Sequence, residues 1–131
     1  LVQATPSSMT ASPGEIITVT LGWQVINAPK RPLTAFVHMG NPEQPPVAQM
    51  DRPPLAYDYP STVWQPGDLI TDTYTLTIPP DLDNGRYSLQ TGMYDSETAV
   101  RLPMTINAIQ QPHDAYLIDW ITIDNKTEDG E

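Results

Sequence analysis

The chain contains no cysteine, and this absence excludes three kinds of chemistry. Disulfide bonds, thiol nucleophiles and cysteine-ligated metal sites all need the missing side chain. The absence does not fix the cellular compartment, because proteins without disulfides are found in reducing and oxidising compartments alike.

Long apolar runs are also missing. No stretch of 18 apolar residues occurs, so we do not expect this segment to span a membrane. We find no secretory signal peptide. The chain begins at Leu1 rather than Met, from which we expect either processing or a longer parent protein.

Positive charge is scarce. Six Lys and Arg residues against sixteen Asp and Glu residues give a formal net charge of −10. Such a surface repels phosphate backbones and anionic lipid headgroups. We therefore expect no nucleic-acid partner and no peripheral membrane binding, and we interpret the acidity as a source of solubility.

Helical periodicity is absent as well, whereas proline is abundant, with 15 residues. Residues 17–25 alternate, with Val19, Leu21 and Trp23 on one face. Residues 69–78 alternate in the same way, with Tyr74 on the apolar face. Period-two alternation is typical of half-buried β-strands, so the sequence predicts an all-β protein with Trp23 in or near the core.

Asp72 falls on the apolar face of its predicted strand. A buried carboxylate must be paired or neutralised, and an arginine can hold it with two hydrogen bonds. We expect Asp72 to form a structural ion pair with Arg52 or Arg101.

Residues 33–39 form a nearly continuous apolar run, typical of a central strand. Its phase is ambiguous, because either Ala35, Val37 and Met39 or Phe36 and His38 could face inward. We further predict that residues 100–105 return as the hairpin partner of strand 85–94, and that 116–123 is the last strand.

A turn signal, Asp83-Asn84-Gly85, leads into a strand whose first inward residue is Tyr87. This is the layout of a tyrosine corner, in which the ring packs on the core and the hydroxyl bonds to the backbone just upstream. With seven to eight strands and turns about every ten residues, it predicts an immunoglobulin-like or fibronectin III-like Greek-key β-sandwich. A jelly roll or another β-barrel is the alternative. We place one domain at residues 1–123 and a charged, flexible tail at 124–131.

The sequence carries no recognisable catalytic motif. Neither a nucleophile elbow, a phosphate-binding glycine loop nor a zinc-protease motif is present. We interpret His38 as a hydrogen-bonded structural residue rather than a base or metal ligand. The loop acids are interpreted as solvated groups and turn caps, and the Asp81–Gly85 segment as a turn rather than a calcium loop. We expect no cofactor and no metal.

A proline-stiffened connection, residues 52–68, carries three aromatic residues, Tyr57, Tyr59 and Trp64. Exposed aromatic rings stack on sugars, and planar polar groups read hydroxyls, so this segment is the candidate ligand-binding surface. The polar residues placed with it are Gln49, Asp51 and Arg52. The alternative, which burial energy favours, is that Trp64 covers one end of the core. Trp120 is interpreted as a core or near-core residue.

Several motifs, taken as a set, resemble a known domain. They are segments 36–38 (FVH), 48–54 (AQMDRPP), 62–67 (TVWQPG), 85–87 (GRY), 92–95 (GMYD) and 101–103 (RLP), with Asp72. The set resembles the small β-sandwich domain near the C-terminus of some bacterial polytopic membrane proteins, many of them similar to dolichyl-phosphate-mannose-type glycosyltransferases. The resemblance covers about residues 12–123 and implies a position outside the cytoplasmic membrane, periplasmic or at the cell surface. It supplies no catalytic residues.

We therefore expect a non-catalytic extracytoplasmic accessory domain, for recognition or spacing, in a larger membrane-associated protein that is itself a candidate glycosyltransferase. Its expected partner is the rest of its own parent chain or a glycan. Two alternatives are a carbohydrate-binding module and a small hydrolase or transferase with an unrecognised site.

Overall fold

The computed structural model describes residues 1–55 and 58–125. Within these ranges the chain forms ten β-strands and two 3₁₀ turns, with no α-helix. The strands are β1 (Gln3–Pro6), β2 (Thr10–Ala11), β3 (Ile16–Gln24), β4 (Leu33–Gly40), β5 (Ala48–Arg52), β6 (Leu69–Thr77), β7 (Gly85–Asp95), β8 (Thr105–Ile106), β9 (Ile109–Gln110) and β10 (Tyr116–Ile123). The 3₁₀ turns are Ser61–Val63 and Pro112–Asp114. The all-β prediction is confirmed.

The strands form two main sheets that pack on one core. The three-stranded sheet has the order β1-β3-β6, and the five-stranded sheet has the order β2-β10-β7-β4-β5. In the part of the chain that the structure describes, strands β8 and β9 pair only with each other. The pair β2 and β10 is parallel, whereas the other pairs are antiparallel. The N-terminal segment therefore contributes one strand to each sheet.

Alternation along β3 and β6 builds one side of the core. Val19 and Leu21 of β3 are fully buried, and so is Tyr74 of β6. Trp23 is 9% exposed and belongs to the same core cluster, which confirms its predicted position. Opposite them, the core takes Ala35, Val37 and Met39 of β4, which resolves the phase of that strand.

The predicted tyrosine corner is present at the start of β7. The Tyr87 hydroxyl donates to the backbone carbonyl of Asp83, four residues upstream, at 2.7 Å. The Tyr87 ring is partly buried and packs against the core. This hydrogen bond fixes the chain at the turn that enters β7, because the ring is held by the core and the hydroxyl by the backbone.

One sequence expectation holds only in part, and another was wrong. Residues 100–102 turn back antiparallel to the end of β7: Arg101 bridges Tyr94, and the N–H groups of Asp95 and Leu102 donate to the carbonyls of Val100 and Met93. The predicted strand over 100–105 goes no further, because the chain then turns away into β8. Trp120 is not in the core: it is 37% exposed on the outer side of β10. A bulge between Leu117 and Asp119 shifts the register of β10, and a one-residue shift exchanges the two faces of a strand.

The predicted domain boundary near residue 123 stays a prediction. Asp124 still donates its backbone N–H to Ala11 at 3.0 Å. The rest of the predicted tail, from residue 126, lies outside the described residues.

Candidate functional site

The aromatic segment between β5 and β6 folds onto the core. Trp64 is 4% exposed, and its indole N–H donates to the Tyr59 carbonyl at 2.8 Å. The Tyr59 hydroxyl in turn donates to the Asp68 carboxylate. Trp64 therefore has no free ring face for a sugar, and the binding role suggested for it is corrected to the alternative, a cover for the core. Tyr57 lies outside the described residues.

The polar residues of β5 do not form one surface with that segment. Successive side chains of a strand point to opposite faces, and β5 follows this rule. Arg52 turns toward β6, where it reaches the Asp72 carboxylate and the Thr73 carbonyl. Asp51 and Gln49 lie on the opposite face of the strand. The three polar residues predicted to share one binding surface therefore lie on two faces of β5.

The Arg52–Asp72 ion pair joins β5 to β6, the edge strands of the two sheets, where these edges meet. The Asp72 carboxylate accepts hydrogen bonds from Arg52 and from the backbone N–H groups of Leu55 and Thr73, each of the latter at 2.8 Å. Burial opposes ionisation of Asp72, but these hydrogen bonds outweigh it and lower its pKa. The predicted ion pair is thus confirmed with Arg52 as the partner, whereas Arg101 lies elsewhere.

Arg101 covers the outer face of the five-stranded sheet. Its guanidinium group lies 4.3 Å from the centroid of the Phe36 ring, and its Nη1 donates to the His113 carbonyl at 2.8 Å. Phe36 points away from the core yet is only 1% exposed, because Arg101 covers it and Gly92 leaves room for it. A Cβ at Gly92 would lie 2.7 Å from two atoms of the ring.

A hydrogen-bonded chain runs beside Phe36. His38 Nε2 lies 3.0 Å from one carboxylate oxygen of Asp51, and the Tyr94 hydroxyl donates to the other at 3.0 Å. Burial and the hydrogen bond to Asp51 raise the pKa of Tyr94. The prediction of a hydrogen-bonded His38 is confirmed, with Asp51 as the group that orients its ring.

The second histidine belongs to the same face. His113 Nε2 lies 3.1 Å from Glu43, a residue 70 positions earlier in the chain. His113 and Asp114 have φ values of 60° and 50°, in the left-handed region that costs non-glycine residues energy. Contacts of the Asp114 carboxylate with Met104 N–H and Gln110 Nε2 hold this turn.

These groups surround a cavity of about 360 Å³, which we call the His–Arg cleft. The 40–46 connection forms one wall, and the rest of the lining includes Phe36, His38, Ser88, Gln90, Arg101 and His113. Among the residues that the structure describes, no Asp or Glu lines it. The cleft thus gathers both histidines of the chain and one arginine on a protein that is otherwise strongly acidic.

A second groove continues the cleft toward β10. It shares Pro42, Gln90 and His113 with the cleft and extends to Leu117 and Trp120. Its volume is about 300 Å³. The exposed Trp120 ring therefore lies at the far end of one continuous polar and aromatic surface.

Sequence reasoning missed this surface, although a signal for it was present. Even-numbered positions of β4 and β7 carry Phe36, His38 and Gln90, and alternation places them on one face once the odd positions are assigned to the core. The walls come from residues far away in sequence, Glu43 and His113 among them, which no local pattern brings together.

Within residues 1–55 and 58–125, no group of three or more His, Asp or Glu side chains is arranged to hold a metal ion. None of the helical segments in the described part of the chain is long and apolar enough to cross a membrane. No protein-family model matches the chain, and no curated protein is significantly similar to it in sequence.

Proposed function

We propose that the chain is an immunoglobulin-like Greek-key β-sandwich. Its strand order supports this assignment: β1, β3 and β6 correspond to strands A, B and E of such domains, and β4, β7 and β10 to strands C, F and G. The tyrosine corner supports it further, because it occurs at the entry to strand F. An experimental structure with β6 between β1 and β3 would contradict it.

For function, we propose a non-catalytic recognition domain of a larger, membrane-associated extracytoplasmic protein, a candidate glycosyltransferase. The observation that carries the recognition role is the His–Arg cleft. Its polar groups are held in place by neighbours, His38 by Asp51 and His113 by Glu43. Side chains that are already held by hydrogen bonds favour binding, since little side-chain order is lost when the ligand arrives.

The cellular position rests on the sequence resemblance. It is tested in the full-length gene by fusing, after this domain, a reporter that is active only outside the cytoplasmic membrane. Activity of the reporter supports the proposed position. A reporter that works only in its cytoplasmic form refutes it.

Among recognition partners, a glycan is the one that the residues favour. Planar polar groups such as Gln90 and Arg101 suit sugar hydroxyls, and the groove that Gln90 also lines ends at the Trp120 ring. The glycan site that we propose is therefore on the five-stranded sheet rather than at Trp64.

Tryptophan fluorescence provides the test, because Trp120 is 37% exposed whereas Trp23 and Trp64 are buried. The domain is titrated with a panel of neutral and acidic oligosaccharides. We expect saturable changes with at least one sugar and a loss of affinity in Gln90→Ala. Gln24→Ala, on the three-stranded sheet, is the matched control and keeps the affinity. A flat response to the whole panel refutes glycan recognition.

A further inference from the structure

The arginines of the described chain fall into two groups. Arg31 forms ion pairs with Asp95 and Glu97, and Arg52 pairs with Asp72. The other two, Arg86 and Arg101, form no ion pair with any residue that the structure describes, and each lies over an aromatic ring instead.

Both arginines without an acidic partner lie on the outer face of the five-stranded sheet. The Arg86 guanidinium is 5.5 Å from the centroid of the Trp120 ring, and Arg101 covers Phe36 at 4.3 Å. On a chain of net charge −10, both arginines whose charge is not neutralised by an acid in the described residues therefore lie on the surface that holds the His–Arg cleft. Lys30, which forms no ion pair with a described residue either, lies apart from them in the connection between β3 and β4.

From this distribution we propose that the cleft binds an acidic saccharide, with a sugar carboxylate held at Arg101 and an adjoining sugar ring in the groove that reaches Trp120. The proposal deepens the recognition role and rests on it. A guanidinium group has five N–H donors in a planar fork that matches a carboxylate. In the described chain, the Arg101 side chain donates only to the carbonyl of His113, so donors remain for a ligand.

The surroundings of Arg101 favour an anion at short range. Among the described residues, no carboxylate lines the cleft itself, and Asp51 beneath it is held by His38 and Tyr94. Glu43 lines the adjoining groove, where it contacts His113 and stays 77% exposed. A ligand carboxylate therefore meets donors at Arg101, whereas the part of the ligand that passes Glu43 has to be uncharged.

The same charge distribution limits the ligand to few charges. Beyond about 8 Å at physiological salt, interactions between exposed charges are largely screened, so a short ligand with one carboxylate senses mainly the local cleft. A long polyanion lies over the acidic remainder of the surface and is repelled. We expect a disaccharide with one uronic acid to bind better than a heavily sulfated polymer.

The groove that ends at Trp120 favours a saccharide over an acidic peptide as the ligand. The groove beyond the cleft ends in Trp120 and passes Gln90, which together offer a ring face and a planar amide. Sugars use both contacts, whereas a peptide carboxylate alone would need only Arg101.

The test compares a uronic-acid-containing disaccharide with its methyl ester, a neutral molecule of nearly the same shape. Binding is measured by isothermal titration at 0.15 M salt. We expect the ester to bind about tenfold more weakly or worse, because hydrogen bonds to charged groups contribute more than neutral ones. In Arg101→Gln the two sugars should bind with equal affinity.

Arg31→Gln is the matched control: it makes the same chemical change at an arginine that is paired with acids, and the preference for the acid should persist. Because Arg101 also covers Phe36, the urea midpoint of each variant is measured first. Arg101→Lys, which keeps the charge, serves as a second variant and should retain part of the preference for the acid.

The outcomes separate the two proposals. Equal binding of acid and ester to the unmodified protein overturns the acidic-saccharide inference and leaves glycan recognition standing. Stronger binding of an acidic peptide than of the uronic-acid disaccharide also overturns it. No binding of any sugar removes both.

Discussion

Gly92→Ala is the sharpest test of the outer-face packing. Alanine at this position places a Cβ 2.7 Å from Cε2 and Cζ of Phe36 and 3.0 Å from the Asp114 carbonyl oxygen. Carbon atoms in contact are normally about 3.5 to 4.0 Å apart, so the ring must move by about 1 Å. Neither neighbour yields freely, since Arg101 covers the ring and the Asp114 turn is tied to Met104.

Two opposing effects decide the sign of the stability change. Overpacking costs about 1 to 3 kcal/mol. Removing a glycine restricts the unfolded chain and returns about 0.4 to 1 kcal/mol. Because two contacts would be as short as 2.7 Å, we take the overpacking cost in the upper part of its range, about 2 to 3 kcal/mol. The expected net loss of stability is then about 1 to 2.5 kcal/mol. With a urea m-value of about 1.5 to 2 kcal/mol/M, the unfolding midpoint falls by about 0.5 to 1.7 M.

The assay is urea unfolding followed by tryptophan fluorescence, with Gly22→Ala as the matched control. Gly22 is also a strand glycine, but its added Cβ meets Gln3 of the edge strand β1 at 3.1 Å and Val2 at 3.6 Å, both near the N-terminus. We expect a change within about 0.5 kcal/mol there. In a Phe36→Leu background the two clashing ring atoms are gone, and Gly92→Ala should lose most of its cost. A Gly92→Ala protein as stable as the parent would refute this packing.

Three further predictions concern Tyr87 in the tyrosine corner, Trp64 over the end of the core, and Asp72 in the ion pair with Arg52. Tyr87→Phe removes the hydrogen bond to Asp83 and should lower the free energy of unfolding by about 0.5 to 1 kcal/mol in urea titration; no change would show that the bond contributes nothing. Trp64→Ala should cost about 3 to 5 kcal/mol by the same assay, and a loss below 1 kcal/mol would contradict its burial. The pKa of Asp72 is lowered in the folded state, so its contribution to stability is full above the unfolded value of 3.8 and is lost as pH falls below it. Urea midpoints from pH 6 to pH 3 should therefore fall less steeply in Asp72→Asn than in the parent; equal slopes would contradict the lowered pKa.

Local sequence signals were sufficient for the long strands β3, β4, β6 and β7 and for the tyrosine corner. Tyr87 and its acceptor are four residues apart, and the turn residues between them specify the geometry. The alternation of β3 and β6 predicted their buried faces for the same reason, since each face is determined by neighbours two positions away.

Local sequence patterns did not predict the features that depend on contacts between residues far apart in the chain. The position of Trp120 depends on a bulge in β10, and the choice of Arg52 over Arg101 as the partner of Asp72 depends on where β5 and β6 meet in space. The His–Arg cleft requires Glu43 and His113 to approach across 70 residues. Each of these depends on long-range packing, which a pattern with a period of two does not encode.

The parallel pairing of β2 with β10 has a mechanical consequence. When tension pulls the segment before β1 and the segment after β10 in opposite directions, the two strands slide along each other, and the hydrogen bonds from Thr122 to Met9 and from Asp124 to Ala11 are loaded together rather than one at a time. An unzipping geometry would break them in succession at lower force. If the domain is stretched between two anchors, we expect it to stay folded until the hydrogen bonds between β2 and β10 break together.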